Sequence, residues 1–231
     1  MDVLHQAETD DSIAAVVLTG AGKYFTSGAD LSNTSDFETI PTDSMRNRPA
    51  GRFMFAILNF KKILACAVNG PVVGIGVPLL LHCDVVFFSD TATLWAPFAR
   101  LALIPEFCGS VLLRATHGMA KANELLLLGT RLNAQQAVEY NFGSRVIANC
   151  NPDPFHPNSL ANTLCNALNK KLLSLPLGSR TAHYFSSMVK GRHREYLKQL
   201  CTEELNVMDE RFKAGDVRVA ARQVAIGRSK L

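Results

Sequence analysis

A chain of 231 residues with 48% hydrophobic content is long enough for a continuous core and needs no covalent staples to hold it. Six cysteines, at 66, 83, 108, 150, 165 and 201, show neither the pairing density of a secreted scaffold nor a CxxC pair, which points to a reducing compartment and away from a zinc or dithiol centre. The net charge of +4 is spread along the chain apart from Lys190-Gly191-Arg192-His193-Arg194, so nucleic acid is not implied.

No apolar run reaches the roughly 18 residues needed to span a bilayer, and Met1 to His5 lacks the basic and apolar regions of a signal peptide. A soluble protein is expected. Ile13 to Gly20 is a short β-branched run ended by glycine, which predicts a buried strand. A loop carrying Gly20, Gly22 and Gly28 follows. Residues 32 to 50 are rich in Ser, Thr, Asn, Asp and Pro and are a lid candidate.

Phe53, Ile57 and Phe60 recur at helical spacing, and Ile63 to Val68 predicts a second buried strand. Asn69-Gly70-Pro71-Val72-Val73-Gly74-Ile75-Gly76 is a glycine-rich turn feeding an apolar helix over 77–83, and a third strand is expected over Asp84 to Ser89. Regions 120–140 and 160–213 read as helical, so the order of elements indicates an α/β class. The breaker cluster near 149–158 divides an expected core, 1–150, from a helical region, 151–231.

Two glycine loops after strands invite a nucleotide-binding reading, but neither fits GxGxxG or GxxxxGK[ST]. Glycine also lets backbone N–H groups point at a ligand, and a helix N-terminus adds unpaired donors and partial positive charge. The two loops are therefore either halves of an oxyanion hole or only tight turns, and spacing leaves both readings open.

Val16 to Gly20 followed by Phe25-Thr26-Ser27-Gly28-Ala29-Asp30-Leu31, and Ala67 to Pro71 running on to Gly74-Ile75-Gly76, resemble the two oxyanion motifs of the crotonase superfamily, the enoyl-CoA hydratase/isomerases. The resemblance covers essentially the whole chain. It implies a spiral of ββα units and a helical tail, with Glu203-Glu204 to Arg211 in a trimerisation region; a homotrimer or hexamer is expected. It departs from the family at the start, where Met1 stands near the helix that normally follows two N-terminal strands. By resemblance, the N–H groups of Ala29 and Ile75 hold a thioester oxygen. Ser27, Gly28, Asp30, Leu31, Pro71, Gly74 and Phe98 line the acyl-CoA site.

Chemistry within this family depends on which positions carry carboxylates, because proton transfer needs a base at the matching carbon. Alignment through Gly74-Ile75-Gly76 and Cys83-Asp84 puts Pro78 and Phe98 at the two glutamate positions of hydratases. Glu106, in Ile104-Pro105-Glu106-Phe107, instead resembles the single glutamate of peroxisomal-type Δ3,Δ2-enoyl-CoA isomerases. The resemblance then implies that Glu106 shuttles a proton from C2 to C4, with no metal or redox cofactor and with CoA as part of the substrate.

Leu103, Ile104 and Phe107, with Trp95 and Phe98, imply an apolar site that raises the carboxyl pKa. The alternatives are a hydratase and a catalytically silent acyl-CoA-binding or scaffold protein. Asp30, Asp84, His82, His117 and Cys108 are expected to be structural, and Lys190, Arg192 and Arg194 to be either a solvated face or ligands of CoA phosphate. The ending Ser229-Lys230-Leu231 matches the peroxisomal address and implies an import receptor as partner.

Overall fold

The helix α1 (Asp2–Thr9) leads into β1 (Ala15–Thr19), the first strand of a computed structural model that describes residues 2–28 and 43–228. Ala29, Asp30, Leu31, most of the lid candidate and the ending Ser229-Lys230-Leu231 lie outside the described residues. After α2 (Pro49–Asn59), β2 (Ile63–Val68) pairs in parallel with β1 on one side and with β4 (Val85–Ser89) on the other. With β7 (Arg145–Ile147), these form a wholly parallel four-stranded sheet in the order β1-β2-β4-β7.

Every residue of β2 is buried, as expected of a central parallel strand covered on both faces. Its alternation sorts the two sides. Ala65 and Ala67 face α7 (Leu160–Leu168), whose Leu160, Leu164 and Leu168 pack on the sheet beside Phe87. Cys66 and Val68 face the opposite way, into the largest core cluster with Val86, Phe88 and Leu94. The alanines remove bulk on one face, which allows the α7 backbone to lie close to the sheet.

A second, three-stranded sheet holds the turn after β2. β3 (Val72–Val73) pairs in parallel with β5 (Thr93–Trp95), and β5 pairs antiparallel with β6 (Leu132–Asn133). Between β3 and β4, α3 (Gly76–Leu79) runs into the 3-10 turn Leu80–His82, so the apolar helix expected over 77–83 is a short helix with a tightened end. The strands β3, β5, β6 and β7 are two or three residues long and went unread in the sequence, because so short a run carries no measurable period.

Helices α4 (Gly109–His117), α5 (Met119–Leu126) and α6 (Ala134–Glu139) follow; the last opens with a reciprocal capping box between Asn133 and Gln136. The tail adds α8 (Gly178–Gly191), α9 (Arg194–Ala214) and α10 (Asp216–Arg228). α9 buries Cys201, Leu205 and Met208 against Met54, Ile57 and Phe107. Residues on both sides of 150 thus share one core. Among the described residues no helix is long and apolar enough to cross a membrane.

Candidate active site

The two glycine loops meet. Phe25 and Thr26 N–H groups both donate to the Pro71 carbonyl (3.0 and 3.2 Å), and Val73 N–H donates to Thr26 O at 3.0 Å. Asn69 ties them again, its Oδ1 accepting from Gly20 N–H (2.9 Å) and its Nδ2 donating to Gly22 O (3.0 Å). Gly28 has a φ of +84°, and a Cβ there would stand 3.1 Å from the Val73 carbonyl oxygen. Only glycine allows both the left-handed turn and this approach without strain.

In the second loop the Gly74 N–H is taken by the Trp95 carbonyl at 2.9 Å, so Trp95 orients the turn through its backbone. Its ring faces away, with Nε1 on Gly129 O (3.0 Å) and Arg131 stacked above it at 4.0 Å. The Ile75 N–H has no hydrogen-bond acceptor among the described residues and stands at the start of α3. That is the disposition an oxyanion donor requires. Ala29, the donor expected from the first loop, lies outside the described residues.

Glu106 lies in the loop between the 3-10 turn Ala99–Leu101 and α4. A Cβ placed on Gly109 would lie 3.6 Å from the Pro78 ring and 3.7 Å from that of Pro105, so this loop rests on α3 just beyond Ile75. Leu103, Ile104 and Ile75 pack against one cluster around Phe107. Glu106 is half-buried. Burial, and secondarily the nearby Glu204 carboxylate, push its carboxyl up to about 7.

The loop is strained. Ala102, Phe107 and Cys108, none of them glycine, have φ values of +53°, +58° and +61°. Such residues cost on the order of 1–3 kcal/mol each and persist only where surrounding contacts impose them. Here those contacts are visible. His82 Nε2 lies 2.8 Å from the Phe107 carbonyl oxygen, with the two rings stacked at 4.2 Å. Burial pushes His82 down to about 4, so it is neutral and donates that bond. From α9, Arg211 Nε donates to Ala102 O at 2.6 Å, and the Glu204 carboxylate accepts from the Cys108 N–H at 2.7 Å.

Of the other residues named from sequence, Ser27 is exposed beside the paired loops, and Pro71 and Gly74 serve them through backbone bonds. Phe98 is 2% exposed: its ring belongs to the core, and its carbonyl accepts from Leu101 and Leu103 N–H groups below the Glu106 loop. Its place in the chain is next to the site, but its side chain presents no surface to a ligand. Lys190 pairs with Asp84, which also accepts from Leu64 N–H at 2.8 Å, and Arg194 Nε donates to Leu58 O at 3.1 Å. Two of the three cations considered for CoA phosphate are therefore engaged within the fold. The Cys108 thiol is pushed far up by its contact with Cys201 and by burial, which leaves it inert.

Sequence reasoning missed His82 and Glu204 as supports of this loop. Nothing in the sequence signals either one, because both act across more than twenty residues of intervening chain.

Comparison with known proteins agrees with this geometry. Residues 1–173 match the sequence profile of the family described as Enoyl-CoA hydratase/isomerase. A human protein, enoyl-CoA delta isomerase 2, is 32% identical over 237 residues, covering 100% of this chain and 56% of its own length. A mouse protein, enoyl-CoA delta isomerase 3, peroxisomal, is 38% identical over 147 residues, covering 59% of this chain and 44% of its own. The chain thus spans about half the length of these curated relatives. The structure of Pseudomonas aeruginosa OdaA superposes with a TM-score of 0.83 at 33% identity, covering 96% of this chain and 85% of that one. With paired glycine loops, a parallel ββα core and a profile match over most of its length, the chain belongs to the enoyl-CoA hydratase/isomerase family, the crotonase superfamily.

Proposed function

We propose that this chain is a Δ3,Δ2-enoyl-CoA isomerase acting on unsaturated fatty acyl thioesters. Glu106 removes a proton from C2 of a 3-enoyl-CoA, and the negative charge moves onto the thioester oxygen. The N–H groups of Ile75 and Ala29 hold that oxygen. The same carboxyl returns the proton at C4, leaving the double bond conjugated in a 2-trans-enoyl-CoA. The observation that carries this reading is a half-buried carboxyl pushed up to about 7, on a loop packed against the helix that Ile75 opens. A base with a pKa near the working pH combines the ionised form with useful basicity.

Hydration needs a second carboxylate to position water, and the two places where a hydratase would carry its glutamates hold Pro78 and Phe98, both buried. The human and mouse relatives bear the name enoyl-CoA delta isomerase, which supports the same reading. A homotrimer, or a hexamer built as a dimer of trimers, is proposed with it; the apolar Tyr184, Phe185 and Met188, 61%, 68% and 62% exposed along α8, support burial of that face in an assembly. Residence in the peroxisome and recognition by its import receptor are proposed from Ser229-Lys230-Leu231 and from the peroxisomal mouse relative.

The test offers the purified protein a 3-enoyl-CoA and, separately, a 2-enoyl-CoA. Appearance of the conjugated thioester absorbance from the first, with no loss of it from the second, is expected. Water addition to the 2-enoyl-CoA without isomerisation would assign the chain to the hydratases instead.

A further inference from the structure

Glu204 is a carboxylate with 6% exposure, on a helix ninety-eight positions along the chain from Glu106. Its oxygens accept three hydrogen bonds: Cys108 N–H at 2.7 Å, Ser110 N–H at 3.1 Å and Ser110 Oγ–H at 2.5 Å. Two of these donors are backbone groups at the N-terminus of α4, where free N–H groups and the helix dipole favour an anion. The helix Cys108 begins has no side-chain cap of its own. A carboxylate from α9 supplies the missing acceptor.

That arrangement bears directly on the loop carrying Glu106. Phe107 and Cys108 occupy consecutive left-handed conformations, and fixing the Cys108 N–H fixes the peptide that follows Glu106 by one residue. Leu197 and Arg211 lie seven residues before and after Glu204 on α9, on the same face of the helix. Leu197 O accepts from Cys108 Sγ at 3.2 Å, and Arg211 Nε donates to Ala102 O at 2.6 Å. One face of a single helix therefore grips the loop at both ends. A stability role alone could be met by a neutral capping side chain, whereas a buried carboxylate next to another carboxylate costs free energy.

We propose that Glu204 is a positioning residue for Glu106, holding the base in its strained loop and bringing a negative charge near it. Burial raises the pKa of Glu204 itself, and the hydrogen bonds from Ser110 and Cys108 counter that rise. This deepens the isomerase reading and rests on it. The other groups around the loop do not supply that charge. His82, on the 3-10 turn, is neutral, and the thiols of Cys108 and Cys201 lie against each other. Arg211 is engaged with Ala102 O and Asp216, and Lys190 of α8 with Asp84. The repulsion from Glu204 adds to burial in disfavouring the ionised Glu106.

The experiment compares wild type, Glu204→Gln and Ser110→Ala as full chains. It measures kcat, KM and the pH dependence of kcat on a 3-enoyl-CoA, and the titration of the Glu106 carboxyl by 13C NMR, assigned with Glu106→Gln. Loss of the Glu204 charge should lower kcat about 10- to 100-fold with little change in KM, and move the Glu106 titration and the acid limb of the kcat profile to lower pH. Ser110→Ala removes one donor and keeps both backbone bonds, so it should fold and lower kcat severalfold.

A folded Glu204→Gln with a lowered Tm but wild-type kcat and wild-type Glu106 titration would make Glu204 a helix cap only and overturn the proposal. If Glu204→Gln does not fold, an unchanged kcat in Ser110→Ala does the same. If wild type does not turn over the thioester, the isomerase reading fails by itself, and the carboxyl titration still decides whether Glu204 governs Glu106.

Discussion

At the scale of single residues, the site depends on keeping a carboxyl in surroundings that disfavour its charge. The Glu106 pKa is raised to about 7 from 4.5, first by burial and then by Glu204. The folded state therefore binds this proton more tightly than the unfolded chain does. Stability is unaffected below about pH 4, falls as pH rises from the unfolded value to about 7, and stays reduced above it. At about 1.4 kcal/mol per pKa unit, the full effect is on the order of 3 kcal/mol. Glu106→Gln should thus match wild type in thermal denaturation near pH 4 and be more stable at pH 8. Equal Tm values at both would mean that the carboxyl is not desolvated. Glu106 stands out in the sequence as the candidate base because its Pro-Glu pair resembles one at a family position. Glu204 was read only as part of a helical tail, since its meaning comes from a contact with Cys108 that no local pattern encodes.

At the scale of elements, the two glycine loops form one unit. Spacing alone left open whether they were an oxyanion hole or merely tight turns; the bonds from Pro71, Thr26 and Asn69 join them back to back, with the Ile75 N–H left over. Gly76 sets how closely they approach, because a Cβ there would stand 2.3 Å from Thr26 Cγ2 and 2.7 Å from Val72 Cγ1. Gly76→Ala should separate the loops and destabilise the protein by about 1–3 kcal/mol in urea denaturation, with a rise in the KM for the thioester. Unchanged stability would show that Thr26 and Val72 can turn aside. The strand Ile63–Val68 was legible to the residue, since six apolar positions bounded by Lys62 and Asn69 admit little else. The partners that fix the second loop were not, because β3 and β5 are held by pairing rather than by their own composition.

At the scale of the whole molecule, the C-terminal helices complete the core that the spiral begins. Leu164 of α7 is fully buried against Ala65, Ala67 and Phe87, and Met208 and Leu205 of α9 close over Met54 and Phe107. The breaker cluster near 149–158 therefore marks a turn within a shared core. Leu164→Ala should cost about 2–5 kcal/mol and lower the single unfolding transition of all regions together; a separate transition for the tail would contradict this shared packing. The measurement that bears most directly on the site is the turnover of a 3-enoyl-CoA by wild type and Glu106→Gln, followed by absorbance of the conjugated thioester, with acyl-CoA binding measured in parallel. The proton-shuttle mechanism requires turnover by wild type, a loss of about 10²- to 10⁴-fold in the variant, and binding in both. Equal turnover by the two proteins, or binding without turnover in wild type, would contradict it.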